Sequence, residues 1–195
     1  MPLPGDGVLG PVGGGNVRHC FYGQDWDAEM GFKDAKAVER HANTSLVHSA
    51  MSPHITPIKL AGEELRWYHS DVSASNFFID TSSPDDQLQI WMVNFNLVGV
   101  LPSSFASYSM HNYRDMFGRD VLALVRERTS CAISPNLRMM SVASGLLVMV
   151  GDPSLGLNEE GQDREGPNTK RIKRARKKFL EKKPEFRVYL PDVLD

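Results

Sequence analysis

Residues 67–80 read WYHSDVSASNFFID, and residues 88–96 read LQIWMVNFN. Segments 76–80 and 88–95 are rich in aromatic and β-branched residues, which favours two strands. The TSSPDDQ between them has a composition typical of a turn, so the sequence predicts a β-hairpin. Polar side chains stand at both ends of this hairpin. They are His69, Asp71, Asn76 and Asn94.

The first three of these residues follow the spacing H-x-D-x-x-x-x-N. Phosphoryl transfer from ATP needs a carboxylate to orient or deprotonate the attacking hydroxyl, and oxygen ligands to hold Mg²⁺ against the phosphates. A loop followed by a hairpin can deliver such groups from its two ends. The pattern therefore predicts a candidate phosphoryl-transfer site.

This pattern resembles the catalytic loop and metal-binding hairpin of the aminoglycoside phosphotransferase family, which is related to the protein kinases. The fungal members are the nearest likeness, since residues 32–46 (FKDAKAVERHANTSL) and 99–108 (GVLPSSFASY) also resemble theirs. The similarity covers about residues 20–115. It implies the following roles: His69 as the structural histidine of the catalytic loop, Asp71 as the catalytic base, and Asn76 and Asn94 at the positions that bind Mg²⁺ and the nucleotide.

Two departures from the family pattern bear on activity. Asn94 stands where the family has a metal-binding aspartate, and losing that charge removes several kcal/mol of raw attraction to Mg²⁺. The chain also lacks an upstream glycine-rich strand pair, strand lysine and helix glutamate to hold the ATP phosphates. The implied fold is α+β and mainly helical: a kinase-like C-terminal lobe with a small β-hairpin, whose N-terminal nucleotide lobe is missing.

The composition along the chain suggests four segments. Residues 1–16 form a flexible Gly/Pro-rich lead, and residues 17–150 form the kinase-like lobe. Within the lobe, apolar residues at spacings of 3 and 4 predict an amphipathic helix over 33–47, and the apolar run 137–150 predicts a buried helix. Residues 151–169 are polar and glycine-rich, typical of a linker, and residues 170–195 form a basic helix or tail.

Overall composition excludes several function classes. A formal charge of −2 argues against a nucleic-acid binder with a uniformly basic surface. The two cysteines, Cys20 and Cys131, suggest neither a disulfide framework nor a zinc site, which favours a reducing compartment. The apolar stretch 137–150 is shorter than the roughly 20 residues that span a bilayer, so no membrane association is expected. We expect a cytoplasmic protein, with nuclear targeting through the basic tail as the alternative.

Three functional hypotheses remain open. The first is a degenerate family member with weak or no ATP-dependent phosphoryl transfer. The second is an active small-molecule kinase that uses Mg-ATP to phosphorylate a hydroxyl substrate, its missing lobe supplied by another chain or by an unusual N-terminus. In either case, a protein partner is a candidate to cover the surface where that lobe would pack. The third is a non-catalytic interaction module whose basic tail docks on an anionic partner.

Overall fold

The computed structural model describes residues 9–49, 54–80, 89–112, 116–129, 132–166 and 169–190. Within these ranges the chain has five α-helices and small antiparallel sheets, with 45% helix and 15% strand. The predicted α+β class with predominant helix is thus confirmed. No helix in the described ranges has the length and apolar character needed to cross a bilayer.

The helices are α1 (Ala35–Ser45), α2 (Ser103–Ser109), α3 (Met116–Thr129), α4 (Leu137–Val150) and α5 (Thr169–Lys182). The strands are β1 (Gly10–Pro11), β2 (Leu65–His69), β3 (Phe77–Asp80), β4 (Gln89–Met92) and β5 (Val98–Pro102). Helix α1 begins where the Asp34 carboxylate accepts a hydrogen bond from the Ala37 amide at 2.9 Å, and a 3-10 turn extends it beyond Ser45. Helix α4 has the predicted bounds. The residue after it, Gly151, has a φ of 70° and caps the helix in the left-handed conformation.

The first sheet has the antiparallel order β1-β5-β2, and every residue of its central strand β5 is buried. Gly99 allows the three strands to pack closely, because a Cβ there would lie 2.5 Å from the Gly10 carbonyl oxygen and 2.6 Å from Tyr68 Oη. Residues 9–16, which the sequence placed in the flexible lead, supply β1 and the turn after it. Residues 1–8 lie outside the described residues.

The second sheet is the hairpin of β3 and β4, with Phe78 opposite Trp91 and Ile79 opposite Ile90. The predicted hairpin is therefore present, although its connecting turn lies outside the described residues. All four residues of β4 are exposed. Phe77 contacts Phe117 of α3, with ring centroids 5.4 Å apart.

The hydrophobic core runs continuously past Val150, where the sequence had placed a domain boundary. Leu155 and Leu157 are buried in the same cluster as α1 and α4. Helix α5 joins this cluster through Phe179 and Leu180. Three of the four glycines of the predicted linker occupy left-handed positions, with φ of 70° at Gly151 and Gly156 and 73° at Gly161. Their conformational freedom serves tight turns that fold residues 151–166 back onto the core.

The segment that leads into β2 is fixed by buried amide side chains. The Asn43 side chain donates to the Ile58 carbonyl at 2.8 Å and accepts from the Ile58 amide at 2.9 Å. Asn136 makes the same paired contact with Lys59, at 2.7 and 3.0 Å. Ile58 and Lys59 have no regular secondary structure, so these side chains provide hydrogen-bond partners for their backbone N–H and C=O groups. The contacts thereby hold β2 in a defined position ahead of His69.

Candidate functional site

His69 is the last residue of β2, and its ring joins the loop that follows to the far strand of the hairpin. Its Nδ1 accepts a hydrogen bond from the Asp71 amide at 3.1 Å. Its Nε2 lies 3.2 Å from the carbonyl oxygen of Val93, to which it donates when Nδ1 is the acceptor. His69 therefore has a positioning role, since its two contacts tie the start of the Asp71 loop and the end of the hairpin to β2.

Asn76 closes the loop between Asp71 and β3. Its side-chain nitrogen donates to the Asp71 carbonyl oxygen at 2.8 Å, and its residue exposure is 5%. Its backbone oxygen accepts from the Val93 amide at 3.0 Å, so the hairpin and the loop share this residue. The side-chain oxygen of Asn76 is consequently directed away from the loop.

Asn94 follows β4 and meets Asn76 across the site. Its backbone has φ 66° and ψ 46°, a left-handed conformation that asparagine adopts more readily than most residues. Its Nδ2 donates a long hydrogen bond of 3.4 Å to Asn76 Oδ1. The four residues singled out by the sequence are thus linked by one chain of hydrogen bonds that runs through His69, Asp71, Asn76 and Asn94.

Asp71 carries the most unusual group of the site. Its Oδ1 is buried and has no hydrogen-bond partner among the described residues. Leaving a buried acceptor unsatisfied costs on the order of 1–3 kcal/mol, more for a charged group. Asp71 also lines a pocket of about 480 Å³, so the carboxylate adjoins a space large enough for a small ligand.

The opposite wall of this pocket comes from residues that the sequence did not single out. Arg18 and Asp27 form an ion pair, with Nε and Oδ2 3.6 Å apart, and the backbone of Trp26 is left-handed with φ 57°. The run QDWD at 24–27 is polar around one tryptophan, and no periodicity in the sequence marks it. The antiparallel bridge between Arg18 and Asp27 pairs this run with the segment around Arg18, and Ser70 Oγ donates to the Arg18 carbonyl oxygen at 3.2 Å beside Asp71.

A second pocket of about 290 Å³ adjoins the first, since both are lined by Arg18, Asp27 and Asn96. The turn Gly13–Gly15 forms its wall together with Phe95. These glycines follow β1 directly, and no lysine follows them in the next helix or strand. The turn offers exposed backbone to the site and no positive charge.

The groups beneath the site are buried and uncharged at neutral pH. Burial lowers the pKa of His19 to about 3. Burial also raises the pKa of the Cys20 thiol to about 11, and the nearby Asp71 carboxylate adds to this shift. Desolvation raises the pKa of Tyr68 as well. The charges around the larger pocket therefore come from Asp25, Asp27 and Asp71 and from the Arg18 guanidinium.

The donor set fits Mg²⁺ only weakly. Within the described ranges there is no group of three or more His, Cys, Asp or Glu residues that could hold a metal ion. The oxygens available are the amide oxygens of Asn76 and Asn94 and the carboxylate of Asp71. Magnesium in nucleotide sites is held by one or two carboxylates together with water and substrate phosphates. This site could contribute neutral ligands to an ion held mainly by phosphates.

Comparison with known proteins adds no relative to this description. No protein-family model matches the chain, and no match exists among curated proteins or among solved structures. The resemblance to the aminoglycoside phosphotransferases therefore depends on the motif residues alone and stays a prediction.

Proposed function

We propose that this chain is a degenerate relative of the aminoglycoside phosphotransferases, a kinase-like C-terminal lobe that binds Mg-ATP weakly or not at all and retains little or no phosphoryl transfer. The observation that carries this proposal is the hydrogen bond from Asn94 Nδ2 to Asn76 Oδ1, at 3.4 Å. An N–H donor here occupies the direction from which a metal ion would approach the Asn76 oxygen.

The charge at position 94 decides whether the site needs a cation. A carboxylate there would bring two acceptor oxygens face to face, and a bridging cation would offset their repulsion. With asparagine, the amide nitrogen satisfies Asn76 without any ion. The substitution therefore removes the strongest magnesium ligand and at the same time stabilises the empty site.

A second candidate function is an active small-molecule kinase. It is supported by Asp71, whose Oδ1 has no partner among the described residues and whose side chain lines the larger pocket. In this alternative Asp71 orients a substrate hydroxyl, Asn76 and Asn94 contact the Mg²⁺ of Mg-ATP, and another chain or an unusual N-terminus supplies the nucleotide lobe. The exposed side chains of the hairpin, including Trp91 at 60%, offer a surface for that partner.

Thermal unfolding of Asn94→Asp, with and without Mg²⁺ and Mg-ATP, tests the proposal. Asn94→Gly is the matched control, because glycine keeps the left-handed backbone and removes the side chain. We expect the wild type and Asn94→Gly to respond little to Mg²⁺. We expect Asn94→Asp to unfold at a lower temperature without divalent cations and to recover with Mg²⁺. A ligand at 100 times its Kd adds about 2.7 kcal/mol to the native state.

The two candidates differ in a second measurement, the release of ADP in the presence of Mg-ATP and a panel of hydroxyl acceptors. Degeneracy predicts no ADP release from the wild type and a gain for Asn94→Asp. Wild-type ADP release that Asp71→Asn abolishes would instead establish the active kinase. If Asn94→Asp and Asn94→Gly respond identically to Mg²⁺, position 94 does not face a metal site and the degenerate-site proposal loses its support.

A further inference from the structure

Helix α5 concentrates positive charge to a degree that the rest of the chain does not share. It contains eight lysines and arginines and one glutamate, a formal charge of +7. Because the whole chain carries −2, the residues outside α5 carry −9. The basic character is therefore local, and it opposes the average charge of the molecule.

The orientation of α5 is fixed by its apolar face. Phe179 and Leu180 are 0% and 4% exposed, and they belong to the main core cluster. Arg176 is also directed inward, where its guanidinium donates to Asp163 at 2.7 Å with side-chain exposures of 1% and 9%. Since these three residues hold the helix on the core, the opposite face is determined. It consists of the exposed residues Lys170, Arg171, Lys173, Arg174, Lys177 and Lys178, which we call the basic face.

The charges of the basic face are unfavourable to one another in the isolated chain. Its residues form like-charged neighbours at i and i+4, such as Lys170 with Arg174 and Lys173 with Lys177, and such pairs destabilise a helix. Lys170 and Arg171 also lie in the first turn, where the helix dipole disfavours cations. No residue of the basic face has an ion pair with another described residue. A bound polyanion would supply the close opposite charges that the described residues do not provide.

We propose that the basic face of α5 binds the phosphate backbone of a nucleic acid without sequence preference. From Lys170 to Lys178 the helix advances about 12 Å, and a DNA duplex presents one negative charge per roughly 1.7 Å, so phosphates lie within reach of each cation. The basic face carries no aromatic or amide side chain to stack on bases or to read their edges. Contacts to phosphates alone fix position and carry no sequence information.

The chemistry of the face favours a nucleic acid over a lipid surface. A helix that lies in a membrane interface inserts its apolar side among the acyl chains. Here that side, with Phe179 and Leu180, is already buried in the protein core. The face is also separate from the candidate phosphoryl-transfer site, because none of its residues lines either pocket there. The proposal therefore stands or falls independently of the proposed function.

Fluorescence anisotropy of a labelled 20-base-pair DNA duplex with the full chain, from 50 to 200 mM KCl, tests the proposal. With six phosphates engaged, log Kd should depend on log[KCl] with a slope magnitude of about 5, so affinity falls roughly 10³-fold over this range. The variant Lys173→Gln/Arg174→Gln/Lys177→Gln should bind more weakly at 50 mM and lose only about 40-fold over the same range.

The control variant is Lys33→Gln/Lys36→Gln/Arg138→Gln, which also removes three positive charges, at exposed positions outside α5. We expect it to bind like the wild type. All six positions are exposed, and circular dichroism of each variant checks that the helices remain. Equal weakening by both triple variants would assign binding to net charge alone and overturn the proposal, as would failure of the wild type to bind at 50 mM KCl.

Other anionic probes complete the experiment. Single-stranded DNA and duplex RNA of the same length show which nucleic acid is preferred. Binding to any of the three nucleic acids that is stronger than binding to other polyanions supports a phosphate-backbone site. Equal or tighter binding to polyglutamate, or to vesicles of phosphatidylserine and phosphatidylcholine, at matched charge concentration would assign the basic face to an acidic protein or a membrane and overturn the proposal.

Discussion

The chain contains two small antiparallel sheets that meet at the candidate site, and they differ sharply in burial. All five residues of β5 are buried, whereas all four residues of β4 are exposed. The buried sheet supplies His69, and the exposed hairpin begins beside Asn76 and ends beside Asn94. One half of the site is therefore held by the core, while the other half depends on the site's own hydrogen bonds.

The origin of this difference is visible in what covers each sheet. Helix α2 follows β5 directly and packs on β2, and His19 contacts Tyr68 with ring centroids 4.9 Å apart. The hairpin has one ring contact to α3, and Phe78 and Ile90 remain 58% and 65% exposed. A two-stranded hairpin is at best marginally stable alone in water. The backbone bond from the Val93 amide to the Asn76 carbonyl, at 3.0 Å, thus has structural importance beyond the site.

The largest expected effect is on the buried sheet, from Gly99→Val. A Cβ at this position meets the Gly10 carbonyl and Tyr68 Oη at 2.5 and 2.6 Å, and the backbone neighbour cannot move without separating β1 from β5. We expect a loss of about 4 kcal/mol or more in the free energy of unfolding, measured by urea denaturation. Gly62→Val is the control, because nothing lies within 4 Å of a Cβ there. Similar losses for both variants would show that the sheet is not closely packed at Gly99.

A matched pair of truncations measures the difference between the two sheets directly. Leu101 of β5 is 0% exposed and Ile90 of β4 is 65% exposed. We expect Leu101→Ala to cost about 3 kcal/mol, and Ile90→Ala to change stability by less than about 0.5 kcal/mol. The measurement is again urea denaturation. A cost for Ile90→Ala as large as that for Leu101→Ala would mean that the hairpin is covered in solution.

The sequence was sufficient to predict the features that depend on residues close to one another along the chain. Aromatic and β-branched residues around a turn predicted the hairpin, and the apolar run 137–150 predicted α4. The H-x-D-x-x-x-x-N spacing identified His69, Asp71 and Asn76, and Asn94 was identified by its place at the end of the hairpin. These features depend on residues close in sequence, or on one short turn, so periodicity and composition capture them.

The features that the sequence did not predict depend on pairings between residues far apart along the chain. Strand β1 has two residues and pairs Gly10 with Val100, a contact that no local pattern indicates. Arg18 and Asp27 reach the pocket only because their segment lies beside β2 and Asp71. The polar composition of 151–166 suggested a linker, because glycines at left-handed turns and glycines in flexible linkers look alike in a sequence.

Acid should weaken the buried side of the molecule through His19 and His41. Burial lowers the pKa of His19 to about 3 and that of His41 to about 4, whereas both titrate near 6.5 when unfolded. Between these values the unfolded chain binds more protons, so stability is full above pH 6.5 and falls as the pH decreases toward 3. Each histidine should cost about 2 kcal/mol between pH 7 and pH 5.

The measurement is urea denaturation at several pH values, with His19→Gln as the variant. Glutamine cannot titrate, so the fall in stability from pH 7 to pH 5 should be smaller than in the wild type by about 2 kcal/mol, whatever the variant's stability at pH 7. An unchanged pH dependence would mean that His19 is protonated or exposed in the folded protein.

The smallest expected effect concerns Trp91, the largest exposed side chain of the hairpin. With 60% of its surface in solvent, Trp91→Ser should change the free energy of unfolding by less than about 0.5 kcal/mol in a dilute sample. Exposed aromatic surface beside a site is typical of an interface, so the same variant should have a larger effect wherever a partner covers the hairpin. Repeating the denaturation over a hundredfold range of protein concentration distinguishes a hairpin exposed to solvent from one covered by a second copy of the chain. A Trp91→Ser cost that grows with concentration would show that a second copy of the chain covers β4, and the contrast between the two sheets would then hold only for the monomer.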